Sequence, residues 1–295
     1  PIRLIAQMHK AISIIQFKLE AQTIQKRPEF KMEARLLLHH INFEKGTITI
    51  NGQEYMLQDT HFPTIDPKDP YKMTEEEKEI VQKLHFSFTH SEKLHKHMQC
   101  LFRYGCMYTV CNSNLLFHAS MPLNEDGTLK EVDIMGRKYK GKSLLNRVGQ
   151  LIRTAYFGDA ENEEKDFACD YIWYLWCGKD SPAFDKSKMA TFERYFLKEK
   201  ETHTEIKGYY YMLRDREDIC DMILDEFEAK ITAKTKAVII NNPNNPTGVV
   251  YDEATIKAMA AILEKKEKEF GTSIVLISDE PYRELAYGGV EVPLD

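Results

Sequence analysis

The sequence predicts a mixed α/β fold, a helix-rich α+β segment followed by a partial α/β unit. Three patterns point there. Through most of the chain, apolar residues recur at helical spacing between short runs bounded by turn residues. Near the end, KAVIINNPNNPTGVVY places a short buried strand, Ala237 to Ile240, before an Asn-Pro-Gly turn and a helix opening at Asp252. A second strand, Ser273 to Ile277, follows that helix, which is the order of an α/β unit whose two strands pair in parallel.

The first segment begins with an amphipathic helix that places Ile5, Met8, Ile12, Ile15 and Phe17 on or near one face and stops near Pro28. A short helix is expected from Met32 to His40. Thr47 to Leu57 alternates around Asn51-Gly52, the strongest local hairpin signal in the chain. Residues 58 to 73 hold three prolines and little apolar content, so they read as loop. Thr74 with the acidic residues after it caps a long helix expected to reach Tyr104. Its histidine-rich middle reads as a solvated face.

A hairpin comes next, Met107–Val110 with Leu115–Ala119, and then a short strand or hairpin around Val132–Tyr139. Helices are expected from Ser143 to Tyr156, from Phe167 to Gly178 with Trp173 and Trp176 in a core stripe, and from Arg214 to Phe227. Between the last two, Lys186, Lys188, Arg194 and Lys198 form either a phosphate-facing cluster or a solvated basic face. Two sequence styles meet near residue 226 with no Gly/Pro/Ser spacer, which divides the chain into 1–226 and 227–295.

The 295 residues are 43% hydrophobic and 29% charged, as in soluble globular proteins. A net charge of −6 offers no electrostatic reason to expect nucleic acid or an anionic membrane as partner. No apolar run is long enough to span a bilayer and no secretion leader is visible, so the expected location is cytoplasmic. The chain opens at Pro1 and closes at Asp295, and both ends read as cuts. The six cysteines match no zinc spacing and no CxxC, the pattern of reduced thiols.

Chemistry concentrates at two places. His118 closes a predicted strand beside the small residues Ala119 and Ser120, a position suited to holding a metal, although one histidine alone is more often structural. Asn245, Asp279 and Tyr282 lie beyond the carboxyl ends of the two late strands. Ligands of open α/β sheets collect there, so the three could converge on one planar, polar ligand.

From about residue 7 to residue 225 the chain resembles the class III fructose-1,6-bisphosphatases of Firmicutes, through HKAISIIQFKLE, ITINGQEYML, THSEKLHKHM, NSNLLFHASMPLNEDG, DYIWYLWCGKDSPAF and TFERYFLKEKETH. The resemblance implies a calcineurin-like metallophosphatase of gluconeogenesis that hydrolyses the 1-phosphate of fructose 1,6-bisphosphate with manganese. It places His118 at the histidine of the family's LLxHG segment, with Ala119 where glycine is commoner. The family's other ligand blocks, D-x-H, G-D-x-x-D-R, G-N-H-[DE] and a late G-H-T, do not occur here.

From about Phe227 the chain resembles the fold-type I pyridoxal-phosphate aminotransferases, through NNPNNPTG and SDEPYREL. This implies that Asn245 and Tyr282 would donate to the cofactor's phenolic oxygen and that Asp279 would pair with its pyridinium nitrogen. The Schiff-base lysine of that family follows the Asp279 strand, whereas Lys268 is the last lysine here. Three readings follow: a sugar-bisphosphate phosphatase, inactive as this chain alone; an aminotransferase represented by its central units; and a catalytically silent scaffold or fusion. The expected partner is a small molecule, a sugar bisphosphate or an amino acid, with homo-oligomer formation left open.

Overall fold

A computed structural model describes residues 2–111, 114–159, 163–184, 186–226, 231, 233–241 and 251–279. Its backbone contacts divide the chain into two compact units, Pro1–Met107 with Ala119–Leu213, and Tyr108–His118 with Arg214–Asp295.

The first unit opens with α1 (Ile2–Lys26), ended by the Arg27-Pro28 step as the proline predicts. The expected helix at Met32–His40 is instead two single 3₁₀ turns, Glu33–Arg35 and Leu38–His40. The reason lies in packing. Met32 is buried in one apolar cluster and Leu37 and Leu38 in another, so the segment bridges two cores rather than presenting one face. Arg35 is tied to Glu20 of α1 by a 2.8 Å contact between partly buried groups.

A three-stranded antiparallel sheet follows, β1 (Ile41–Asn42), β2 (Thr47–Ile50) and β3 (Gln53–Met56). Asn51 and Gly52 take φ of 52° and 81° between β2 and β3, the left-handed pair that a two-residue hairpin of this sequence requires. Residues 58–73 are turns, as their prolines predict.

The single long helix expected after Thr74 is two, α2 (Glu75–Thr89) and α3 (Glu92–Tyr104). Thr74 and Glu77 form a capping box at the start of α2. The break falls at His90-Ser91, where the Thr89 hydroxyl donates to the His85 carbonyl and the Ser91 hydroxyl accepts from the Leu94 amide. Hydroxyl side chains that bond locally compete with the helix ladder, and here they end one helix and start the next.

In the second unit, β4 (Tyr108–Cys111) pairs antiparallel with β5 (Asn114–Phe117), as predicted. The first unit resumes with the hairpin β6 (Val132–Ile134) and β7 (Arg137–Tyr139), then α4 (Gly141–Phe157) and α5 (Glu163–Cys177), which pack together. Tyr171, Tyr174 and Leu175 of α5 are buried in one core cluster with Phe30, Leu144 and Val148. Trp173 is partly buried, but Trp176 is 58% exposed, so the expected aromatic stripe holds one tryptophan and not the other. α6 (Phe192–Phe196) supplies Phe192 and Phe196 to the second cluster, with Phe17 and Ile48, and α7 (Tyr209–Leu213) closes the unit.

The rest of the second unit runs α8 (Glu217–Glu226), β8 (Ala237–Asn241), α9 (Glu253–Phe270) and β9 (Val275–Asp279). Asp252 caps α9 through the Thr255 amide, and β8 and β9 pair in parallel with Asn241 opposite Asp279. On one face of this pair Ile239, Val275 and Ile277 are exposed, whereas parallel strands are ordinarily covered on both faces. Ile2, Leu4, Ile5 and Met8 at the start of α1 are exposed as well.

The described residues are thus a mixed α/β structure rich in helix, with a three-stranded sheet as their largest. None of their helices is long and apolar enough to cross a membrane.

Candidate functional site

His118 follows β5 directly, and its imidazole is exposed. The next residue, Ala119, takes a φ of 69°, in the left-handed region where a Cβ crowds the following carbonyl. Ser120 is buried, and its amide donates to the Pro182 carbonyl at 3.1 Å. The chain therefore turns sharply just after the histidine, at a residue better suited to glycine. Ala119→Gly should raise stability by about 0.5–1 kcal/mol, the relief of left-handed strain less the extra freedom glycine gains on unfolding, as read by chemical denaturation. A lower midpoint would show that Ala119 contributes packing that outweighs its strain.

A two-metal phosphatase site needs roughly six to eight ligands. Among the described residues, no group of three or more His, Cys, Asp or Glu side chains is placed to hold a metal ion. The histidines of α2 and α3 are exposed, and His95 is occupied by the Tyr156 hydroxyl at 2.6 Å. The described donors do not fit a binuclear metal.

The basic residues after α5 are largely neutralised. Lys186 and Arg194 both pair with Glu205, the latter at 3.6 Å, and Lys188 pairs with Glu193 at 3.3 Å. Burial pushes the Glu205 carboxyl up, but the Lys186 ammonium and the Ala190 amide outweigh it and hold the group below its usual range. Of the four cations, Lys198 alone makes no ion pair among the described residues, so the cluster is an ion-paired surface and not an open phosphate cradle.

Asp279 is the last residue of β9, which starts and ends two residues later than the expected Ser273 to Ile277, so it lies within the carboxyl end of the parallel pair and not beyond it. Asn245 and Tyr282 lie outside the described residues. Lys268, upstream of Asp279, is the last lysine of this sequence. Incubation with pyridoxal 5′-phosphate should give no saturable change in visible absorbance; a saturable change would establish a pocket with a reactive lysine. All six cysteines are free, and burial pushes the Cys177 thiol up to about 12, which keeps it inert at neutral pH.

The comparisons with known proteins place the chain in a class. It belongs to the Firmicute fructose-1,6-bisphosphatase family, whose profile matches residues 1–263. The match crosses the 226/227 boundary, and a fusion of two families at that point gains no support from it. Among its relatives, the class 3 fructose-1,6-bisphosphatase of Phocaeicola vulgatus is 63% identical over 258 residues, 87% of this chain and 38% of that protein. The corresponding protein of Bacteroides fragilis is 58% identical over 262 residues, 89% of this chain and 39% of that one. The chain thus spans under two-fifths of the length of these relatives. A solved aminotransferase from Eubacterium rectale is 56% identical over 24% of this chain and 18% of its own, with a TM-score of 0.22, and that likeness carries no argument.

Proposed function

We infer that this chain serves a fructose-1,6-bisphosphatase that hydrolyses the 1-phosphate of fructose 1,6-bisphosphate in the cytoplasm, within a metallophosphatase of calcineurin-like fold that uses manganese. The observation that carries the reading is the family match through residue 263, together with 63% identity to a class 3 enzyme. Residues 1–226 are the segment bearing the family's motifs, and His118 is its metal ligand in this chain. The family's other ligand blocks do not occur in this sequence. The tail, residues 227–295, adds a parallel βαβ unit whose Asp279 marks the edge at which α/β sheets take ligands.

Grafting tests this. The chain should replace the 258 matched residues of the Phocaeicola vulgatus protein with retention of manganese-dependent phosphate release from fructose 1,6-bisphosphate. A folded graft without turnover would overturn the reading.

A further inference from the structure

α1 changes character along its length. Its second half buries Ile14, Ile15, Phe17, Ala21 and Ile24. In its first half Leu4, Ile5, Met8 and Ile12 are 61%, 57%, 62% and 45% exposed. At about 100° per residue these four fall within one arc of the helix, and Leu4, Met8 and Ile12 have the spacing of a helix that lies in a groove.

Lys10 fixes which way this arc points, because it lies across the helix from Met8. Its ammonium pairs with Asp59 at 2.7 Å, donates to the His61 carbonyl and lies 4.5 Å from the centre of the Phe62 ring. The Lys10 side is therefore turned to the body of the unit and the apolar arc faces away from it. A helical stretch this short is marginal in water without packing, and a contiguous apolar face of this kind marks an interaction surface.

Two observations say what covers it. α1 carries no acidic side chain before Glu20, and Arg3 makes no ion pair among the described residues. Two copies pairing through this stretch would have no carboxylate to offer Arg3, so the surface that fits is apolar with an acidic rim. The family profile includes α1, and the relatives extend far beyond the match: this chain spans only 38% of the Phocaeicola vulgatus protein.

We propose that Leu4, Ile5, Met8 and Ile12 dock into an apolar, acid-rimmed groove formed by the part of a class 3 fructose-1,6-bisphosphatase that lies outside the matched residues. Met8 is the central anchor, with Leu4 and Ile12 one helical turn to either side, and Arg3 meets a carboxylate at the rim. The docking rests on the family reading given above, but it can be read without turnover.

Peroxide oxidation reads this surface through Met8, followed by peptide mass spectrometry. Met8 should oxidise readily in the chain alone and at least about tenfold more slowly in the graft with the Phocaeicola vulgatus protein. Leu4→Asp should restore fast oxidation of Met8 in the graft, while in the chain alone it should leave the melting temperature within about 1 °C, because Leu4 is exposed there. Equal oxidation of Met8 in chain and graft overturns the proposal, whether or not the graft turns over. Equal protection in the chain alone, on raising its concentration or adding phosphatidylserine vesicles, assigns the face to a second copy or to a membrane and overturns it as well. Protection of Met8 in a graft without turnover upholds the docking and leaves the failure with the catalytic reading.

Discussion

Replacing Lys18 with methionine should destabilise the first unit by about 3–5 kcal/mol, the penalty for leaving a buried charge without its partner. Lys18 is fully buried on α1. Its ammonium donates to the Thr64 carbonyl at 2.6 Å and to Glu77 Oε2 at 2.7 Å. Glu77 is 5% exposed and also accepts the Thr74 amide at 2.9 Å, as the reciprocal half of the capping box. One ammonium therefore joins α1, the proline-rich loop and the start of α2. Without it the Glu77 carboxylate stays buried with no countercharge. At roughly 2–4 °C per kcal/mol for a unit of this size, the melting temperature should fall by about 6–20 °C. Lys18→Met combined with Glu77→Gln should recover part of the loss, because glutamine keeps the cap bond without the charge. Lys78→Met removes an exposed pair with Glu75 and should change stability by less than about 1 kcal/mol. Equal losses in the Lys18 and Lys78 variants would show that burial does not govern these pairs.

His118→Ala should reduce manganese-dependent turnover of the grafted enzyme by at least about 100-fold, since even groups that only orient a metal ligand are worth about 10–100-fold. The imidazole is exposed at the end of β5 and makes no hydrogen bond among the described residues, so its removal should leave the melting temperature within about 1 °C. The signature is a fall in activity, with a higher manganese requirement, at constant stability. Unchanged turnover and metal requirement in His118→Ala would remove the residue from the metal site.

Local chemistry was readable from the sequence wherever neighbours along the chain settle the outcome. Asn51-Gly52 makes its hairpin, Thr74 and Glu77 make their capping box, and Asp252 caps α9. The break at His90-Ser91 had a signal as well, in hydroxyl residues able to leave the helix ladder, but the acidic start and continuous periodicity outweighed it. Met32–His40 was misread because its apolar residues serve two different cores, which spacing alone cannot show. The pairing of Lys18 with Glu77 and the unpartnered hydroxyl of Tyr171 depend on contacts between residues far apart in the chain and left no local trace.

The site was legible to a smaller degree. His118 stood out through its place at a strand end and through the family segment around it, and the left-handed φ of Ala119 gives the physical reason that glycine suits the next position. The cations at Lys186, Lys188 and Arg194 invited a phosphate until Glu205 and Glu193 proved to hold them. Asp279, expected just past its strand, is the strand's last residue and lies opposite Asn241.

The most direct test is to incubate fructose 1,6-bisphosphate with manganese and the grafted enzyme, remove the paramagnetic metal with a chelator, and record the phosphorus NMR spectrum. The prediction is fructose 6-phosphate and inorganic phosphate in equal amounts, with the signal of the 1-phosphate lost, that of the 6-phosphate kept, and the rate lowered by at least about 100-fold in His118→Ala. Loss of the 6-phosphate instead, or an unchanged spectrum from a folded and metal-loaded graft, would contradict it.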